Sequence, residues 1–584
     1  ESSNSNIYHF NIKYAKWALS LDESSPDIDN SKFEYALYSG IKVYKSEPKI
    51  RNCLVQDNNV GIEIKSSLTS SSLQSYISNN IIQNNKTGVY SFTSGVLCTL
   101  NTISNNEKGI LIEQALQYEL INNTIESNEY DGIYLVESSD GLLDGNIIKH
   151  NGATAYNIGR PAGGIFFHSS SPVLINNVID NNFVNGLIAM NGSQPVLNFA
   201  ENALNRISGN VFVSCPPGGG TAESSEMLLF DTSVPFLRGG HNDIFDDQGC
   251  FLIYADEVLL EDIDVTFNYW AELDPELLDR RFFPSEKFKY DPYDTEPNTG
   301  QHANQGGGGA NAQFLQGLSQ ESTGDFTGAV QTYQTLISNY PDSIEATGSI
   351  SRLKVCIQNS TQDFQTLQSY YDSLSLTHPG TPLAKTANQY SILCDVAMGN
   401  YPTAISRYEA ILVNPPTLAD SVYAVIDIGQ AYLAADTSSQ AGAKQRALGT
   451  MPEYRPANRK DYEKKVESAL STLFRKFSSE IGPVIPKNYA LKQNYPNPFN
   501  PVTTIVFDIP ELSDVRLIIY DLLGREVKEL VNTHLNGGIH SIAWDGKDQY
   551  GRALSSGMYF YRINAVSKET GKQFHETRKM VLVR

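Results

Sequence analysis

Apolar residues follow a glycine at a recurring interval through the first two hundred positions: Gly40-Ile41, Gly61-Ile62, Gly88-Val89, Gly109-Ile110, Gly132-Ile133, Gly164-Ile165 and Gly186-Leu187. The steps are 21, 27, 21, 23, 32 and 22 residues, a basic unit of 21 to 23 with two insertions. A fixed period of this size predicts coils stacked on one another. Ahead of most of these glycines stands an asparagine (Asn52, Asn80, Asn101, Asn123, Asn146 or Asn177), and two positions after each comes Leu54, Ile82, Ile103, Ile125, Ile148 or Ile179. That apolar column predicts a core. The asparagines suit left-handed corners and can stack their amides along the axis, and the glycines suit the opposite corner.

The pattern predicts a right-handed parallel β-helix. A leucine-rich repeat would need several leucines per unit, and a helical solenoid would need apolar residues at i, i+3 and i+4. Within the strand after each glycine, positions one and three (Ile41/Val43, Ile110/Ile112, Ile165/Phe167) are expected to point inward and positions two and four outward. The outward set contains Tyr44, Tyr90, Phe92, Tyr134, Phe166 and His168. Such an aromatic stripe either stacks on sugar rings or lies under a neighbouring domain, since large exposed apolar patches are rare. The insertion 151–163 places Tyr156 and Arg160 just before His168. Tyr90, Phe92, Tyr134, Tyr156, Arg160, Phe166 and His168 are therefore the candidate ligand-binding residues.

From Pro195 to Pro292 the repeat loosens into a cap, giving a first domain over 1–295. Residues 296–313, with Gly306 to Gly309, read as a flexible linker. The period then becomes helical. Ala329, Tyr333, Leu336 and Pro341 recur as Leu367, Tyr371, Leu374 and Pro379, and as Ala404, Tyr408, Ile411 and Pro416, at starts 38 and 37 residues apart. This resembles the second helix of tetratricopeptide repeats, a family that buries a continuous core and presents a face to a partner protein. The helical-repeat domain spans 314–477, closed by a helix pair on either side of Met451-Pro452, and a second linker covers 478–487.

The last stretch, 488–584, opens on Asn494-Tyr495-Pro496-Asn497-Pro498-Phe499-Asn500-Pro501, whose prolines exclude both helix and ladder. Short alternating segments follow, with Ile505, Phe507 and Ile509, then Val515, Leu517 and Ile519, on the inward side. They predict a small antiparallel immunoglobulin-like β-sandwich.

Pro496, Asn497, Pro498, Phe499, Asn500 and Pro501, with Ile519-Tyr520-Asp521-Leu522-Leu523-Gly524, Trp544-Asp545-Gly546, Gly557, Tyr559 and Lys579 to Val583, resemble the C-terminal sorting domain of type IX secretion cargo. They are similar, too, to the immunoglobulin-like domain of flagellar hook-capping proteins. The resemblance implies a bacterial protein that crosses the periplasm, is recognised by the outer-membrane translocon, and is attached to the cell surface by a sortase. The chain starts Glu1-Ser2-Ser3-Asn4, with neither basic nor apolar run, so on that reading residue 1 is a processed or truncated end.

Composition narrows the function. The net charge of −21 argues against nucleic acid, and no run approaches the roughly 18 apolar residues of a membrane helix. Six cysteines without C-x-x-C spacing are neither a disulfide scaffold nor a zinc site. Cys215 and Cys250 could pair in an oxidising compartment, although free buried thiols are the favoured reading, and Cys356 and Cys394 share a repeat phase that marks packing thiols. No cofactor or metal is expected. The fold also resembles β-helix polysaccharide lyases and hydrolases, which use clustered carboxylates, whereas Asp131, Asp144 and Asp180 sit at different repeat phases. The sequence therefore favours a binding or structural protein, adhesin-like or glycan-binding, over its rival, a carbohydrate-active enzyme. The expected partners beyond the export machinery are a surface polysaccharide or another protein.

Overall fold

A computed structural model of the chain describes residues 6–65, 74–115, 117–139, 141–153, 162–183, 185–197, 204–210, 225–238, 240–245, 251–255, 263–271, 278–279, 281–291, 293–294, 309–437, 451–481, 488–491, 494, 497–499 and 503–583. Two compact units emerge: Glu1–Phe212 with Ala222–Arg475, and Val213–Thr221 with Lys476–Arg584.

The first unit begins with a right-handed β-solenoid of about 10 turns. Three parallel sheets of 8, 10 and 11 strands run along it, each strand pairing with its counterparts in adjacent coils. Ile82 pairs with Ile103, Ile103 with Ile125 and Ile125 with Ile148, all with no exposed surface. The first coil of the apolar column differs from expectation by one residue. Val55, not Leu54, stacks under Ile82, and Cys53 takes the place of the ladder asparagine.

The corners also differ in their physical cause. The Asn101 side-chain amide donates to Asn123 Oδ1 at 3.0 Å and to the Ile77 carbonyl at 2.9 Å, while its own oxygen accepts from Asn80. The same ladder runs on through Asn146, Asn177, Asn205, Asn242 and Asn268. A second ladder, Asn58, Asn85, Asn106, Asn128, Asn151, Asn182 and Asn210, lies five residues further along most coils. These asparagines satisfy buried backbone groups where the chain bends. It is the residue before each, such as Asn79, Leu100 or Asn122, that adopts the left-handed conformation. The recurring glycines are not left-handed either. A Cβ on Gly61 would lie 2.5 Å from the Gly88 carbonyl oxygen, and one on Gly109 2.4 Å from that of Gly132, so close approach of the next coil requires them.

Eight described helices follow in chain order, all within the first unit except the end of the last: α1 Ala310–Ser322, α2 Phe326–Asn339, α3 Ile344–Gln358, α4 Phe364–Thr377, α5 Pro382–Ala397, α6 Tyr401–Val413, α7 Leu418–Thr437 and α8 Arg459–Ile481. The helices α2, α4 and α6 carry the repeated apolar sets, with Tyr333, Tyr371 and Tyr408 all buried. Their pairs are capped in turn by an aspartate and a hydroxyl: Asp325 and Asp363 open α2 and α4, Ser343 and Thr381 open α3 and α5. Helix α1 starts inside the stretch read as a linker, making 310–313 helical, and α8 runs through 478–481. The remainder of those two stretches, except Gly309, lies outside the described residues, as do Cys215 and Cys250.

In the second unit, Ala490–Leu491, Thr503–Ile509 and Gly538–Trp544 form one antiparallel sheet. Glu526–Leu535, Ser513–Tyr520, Gly557–Ser567 and Gln573–Leu582 form another. Ile505, Phe507, Leu517, Ile519, Trp544 and Tyr561 share its core. Among the described residues no helix is long and apolar enough to cross a membrane.

Candidate functional site between coils and helices

Helices α3, α5 and α7 bury almost their whole length, whereas α4 buries only Leu367, Tyr371 and Leu374. The reason is that the first helix of each pair lies against the β-helix. Where α3 crosses the coils, Gly348 leaves room for the Phe236 ring, which would sit 2.2 Å from a Cβ there. Phe236 in turn stacks on Phe314 of α1 at 4.3 Å. The face that such repeats present to a partner is taken here by the chain's own coils.

The aromatic stripe consequently is not open to solvent. Tyr90, Phe92, Tyr134, Phe166 and His168 are between 0 and 7 % exposed. As a stacking surface for a polymer this stretch of the outer face is occupied, and covering by a neighbouring domain is what the stripe serves. Tyr156 and Arg160 lie outside the described residues. Asp131, Asp144 and Asp180 do not converge: Asp144 and Asp180 sit on two different sheets and bond to neighbouring coils through Asn176 and Ser208.

Among the described expected residues, Tyr90 donates to Glu113 at 3.0 Å, and His168 sits at a second polar cluster. Its Nε2 lies 2.7 Å from Asp427 Oδ1 on α7, with Asn191 Nδ2 3.0 Å from the same ring nitrogen and 3.2 Å from Asp427 Oδ2. Beside them Lys385 of α5 bridges Asp231 of the coils at 2.6 Å and Asp420 of α7 at 3.0 Å. Burial would lower the Lys385 pKa, but the two carboxylates outweigh it and hold the ammonium above its ordinary value. Asp231 is raised by burial, because Lys385 is shared with a second acid. Deeper on the coils, burial pushes Glu137 up to about 8, and the Asp427 charge adds to that. Glu137 accepts from Gln114 at 2.8 Å.

Next to this cluster is a cleft of about 150 Å3 lined by Asn191, Lys385, Gln389, Tyr408, Asp420 and Asp427 with apolar neighbours. The Tyr408 hydroxyl is buried there without a hydrogen-bond partner among the described residues. A larger cleft, about 320 Å3, opens by Tyr118, Phe326, Glu321 and Arg352. Its polar centre is already satisfied, since Arg352 pairs with Glu321 and donates to the Ser171 carbonyl at 3.1 Å. The smaller cleft is therefore the candidate site. The sequence reading missed Asp420, Asp427, Lys385 and the role of Tyr408. The signal was Asp420, Asp427 and Gln430 at intervals of 7 and 3 on a helix that is apolar at most other positions.

In the second unit the expected motif residues come together around one ring cluster. Phe499 packs 5.5 Å from Trp544, which meets Tyr559 at 5.7 Å. The Phe499 N–H donates to the Val581 carbonyl, and Asn497 Oδ1 accepts from the Val581 N–H at 2.8 Å. Asp545, bonded by Lys547 and then Lys528, is held down at about 2. Gly546 turns the chain at a φ of 65°, Gly557 opens a strand, and Lys579 is exposed on the facing one. Pro498 is exposed, while Pro496, Asn500 and Pro501 lie outside the described residues.

Three family descriptions match parts of the chain: "Right handed beta helix region" at 68–212, "Tetratricopeptide repeat" at 311–343 and "FlgD Ig-like domain" at 502–569. No curated protein matches. Among solved structures, dimeric latent PorU from Porphyromonas gingivalis is similar at 25 % identity over 16 % of this chain and 9 % of that one, with a TM-score of 0.15. The mannuronan C-5 epimerase AlgE4 A-module of Azotobacter vinelandii matches at 15 % identity over 46 % and 78 %, with a TM-score of 0.25. A tailspike protein of bacteriophage CBA120 matches at 10 % identity over 99 % and 72 %, with a TM-score of 0.27. All three scores lie below 0.5 and say nothing about function. The chain spans about a tenth of the length of the first.

Proposed function

We propose that this chain is a bacterial surface protein, delivered by type IX secretion through its C-terminal region, that holds a glycan in the cleft at Tyr408. One observation carries the binding reading: the buried Tyr408 hydroxyl has no partner among the described residues and lies on the wall of a cleft shared with Lys385, Asp420 and Asp427. A buried polar group left unpaired costs about 1–3 kcal/mol, which a ligand hydroxyl would recover. Sugar hydroxyls both donate and accept, matching a wall of carboxylates, an amide and a phenol. Delivery rests on the motif from Asn497 to Lys579 together with the hook-capping-like match. Its implied partners are the translocon and sortase, and its destination the outer-membrane surface.

The test is binding of the purified chain to immobilised bacterial and plant glycans. Tyr408→Phe keeps the ring and removes the hydroxyl, so affinity for any glycan bound in the cleft should fall about tenfold. A change below twofold for every ligand found would remove the cleft from the account. A second reading, a carbohydrate-active enzyme, is favoured by Glu137, which burial and then the Asp427 charge push up to about 8, a direction that suits a general acid. It predicts release of new reducing or unsaturated ends from polysaccharide, abolished by Asp427→Asn.

A further inference from the structure

The helices cover the outer face only in part, and the first coils carry a surface of a different kind. Of the eight exposed aromatic residues among those described, six lie between Tyr8 and Tyr38. Four of them form two columns along the coil axis. Tyr14 stacks on Tyr35 at 5.0 Å with the rings 10° apart, and Trp17 meets Tyr38 at 5.6 Å. The first separation is close to the strand-to-strand spacing, because Tyr14 and Tyr35 directly follow the paired Lys13 and Glu34 of successive coils; Trp17 pairs with Ser39, so its ring meets that of Tyr38 from one place along. The columns are three residues apart in each coil, at most about 10 Å of chain.

Two lysines belong to the same surface. Lys16 Nζ is 4.5 Å from the Trp17 ring centre and 5.2 Å from that of Tyr38, and Lys42 Nζ is 5.0 Å from Trp17. Neither makes an ion pair among the described residues, unlike Lys13, which is held by Glu34 at 2.9 Å. The charge of the region differs from that of the chain. Residues 1–65 carry 8 basic and 9 acidic side chains, so almost all of the net −21 lies elsewhere. An anion approaching these coils meets two unpaired ammonium groups in place of the repulsion it would meet over the rest of the molecule.

We infer that Trp17, Tyr38, Tyr14 and Tyr35, with Lys16 and Lys42, form a binding platform for an anionic polysaccharide built of uronic acids. The apolar face of a pyranose ring covers an aromatic ring, and its carboxylate draws the ammonium group off the ring into an ion pair. Several rings side by side suit a polymer: two lie along the axis at Tyr14 and Tyr35 and two more beside them at Trp17 and Tyr38, so neighbouring sugars each find a ring. This surface is separate from the cleft at Tyr408 and stands whether or not that cleft binds a glycan.

The experiment compares the full chain's binding to polygalacturonate and to the same polymer after reduction of its carboxyl groups. Native polymer should bind more tightly and more weakly as salt rises. Trp17→Ala/Tyr38→Ala should lower affinity for both polymers, by about tenfold or more if each ring contributes as aromatic stacking usually does. Lys16→Gln/Lys42→Gln should lower only the affinity for native polymer and flatten its salt dependence. The loss caused by Trp17→Ala/Tyr38→Ala should be of the same size in the parent and in a Tyr408→Phe background, which separates this platform from the cleft. Lys16, Trp17 and Tyr38 are exposed and Lys42 is half-buried, so the variants should unfold close to the temperature of the parent. Equal binding of native and reduced polymer, or no effect of the lysine variant, would overturn the inference. So would concentration-dependent dimerisation that Trp17→Ala/Tyr38→Ala abolishes, since the surface would then serve a second copy of the chain.

Discussion

Arg459 of α8 grips Glu113 of the β-helix: its Nη2 donates to Oε1 at 2.8 Å and its Nη1 donates to Oε2. Glu113 is 2 % exposed and also accepts from Tyr90 at 3.0 Å and from Gln430 at 2.9 Å. The Arg459 guanidinium rests 4.9 Å from the Tyr90 ring centre. Burial alone would lower the arginine, yet Glu113 holds it well above its ordinary value. One bidentate pair thus ties the last helix to the coils and lays its guanidinium over Tyr90, a residue that sequence reading offered to a ligand.

The first prediction concerns that pair. Arg459→Met leaves the Glu113 carboxylate buried without its cation, and should cost about 3 kcal/mol in denaturant unfolding of the first unit. Adding Glu113→Gln removes the orphaned charge, so the double variant should recover more than half of the loss. Equal losses in the single and double variants would show that the pair is not coupled.

A second prediction tests the asparagine ladder. Asn123 donates to the Cys98 carbonyl at 2.9 Å and to Asn146, and accepts from Asn101. Asn123→Ala strands buried groups on three coils and should cost about 2–4 kcal/mol, whereas Asn52→Ala, at the exposed left-handed corner before Cys53, should cost only about 1 kcal/mol. Thermal unfolding of the two variants side by side decides it. Similar losses would contradict the register.

The third prediction is a pH dependence. Glu137 has an ordinary value of 4.5 and is raised by burial to about 8. Between those limits the folded chain keeps a proton that the unfolded chain has released, so stability falls as pH rises through this window and levels off above it. Glu137→Gln carries no such proton. Its melting temperature should exceed that of the parent at pH 8 and approach it at pH 5. Parallel profiles would place the Glu137 pKa near its ordinary value.

The coil repeat was legible because the same contact recurs in each turn: a glycine on which a Cβ would lie within 2.8 Å of the next coil's carbonyl oxygen leaves its mark at every period. The second asparagine ladder was equally present in the sequence, as Asn80 and Asn85 or Asn101 and Asn106, but aligning one column hid the other. Asn52 was aligned one place out because Cys53, lacking an amide, stands where its neighbours have asparagine. The burial of the stripe was not legible. His168 meets Asp427 across 259 residues, and nothing local to either distinguishes an outward aromatic that stacks on sugar from one that waits for a helix. Asp427 and Tyr408 fell within helices whose apolar period explained them fully, so the polar positions drew no attention.

The last prediction concerns the proposed address. Lys476–Arg584 belong with Val213–Thr221 to a compact unit that has its own core, so deleting 488–584 removes most of that unit without opening the core of the other. In a host with type IX secretion, with a signal peptide fused ahead of residue 1, the truncated chain should fold and remain in the periplasm while the full chain reaches the surface. Trp544→Ala, which empties the ring cluster of Phe499 and Tyr559, should cost about 3–5 kcal/mol and block delivery by unfolding the region. Lys579→Glu changes an exposed side chain and should leave the fold intact. If the translocon reads this strand, surface delivery of that folded variant should drop severalfold. Surface delivery of the truncated chain at the level of the full one would show that 488–584 is a spacer, and that the address lies elsewhere.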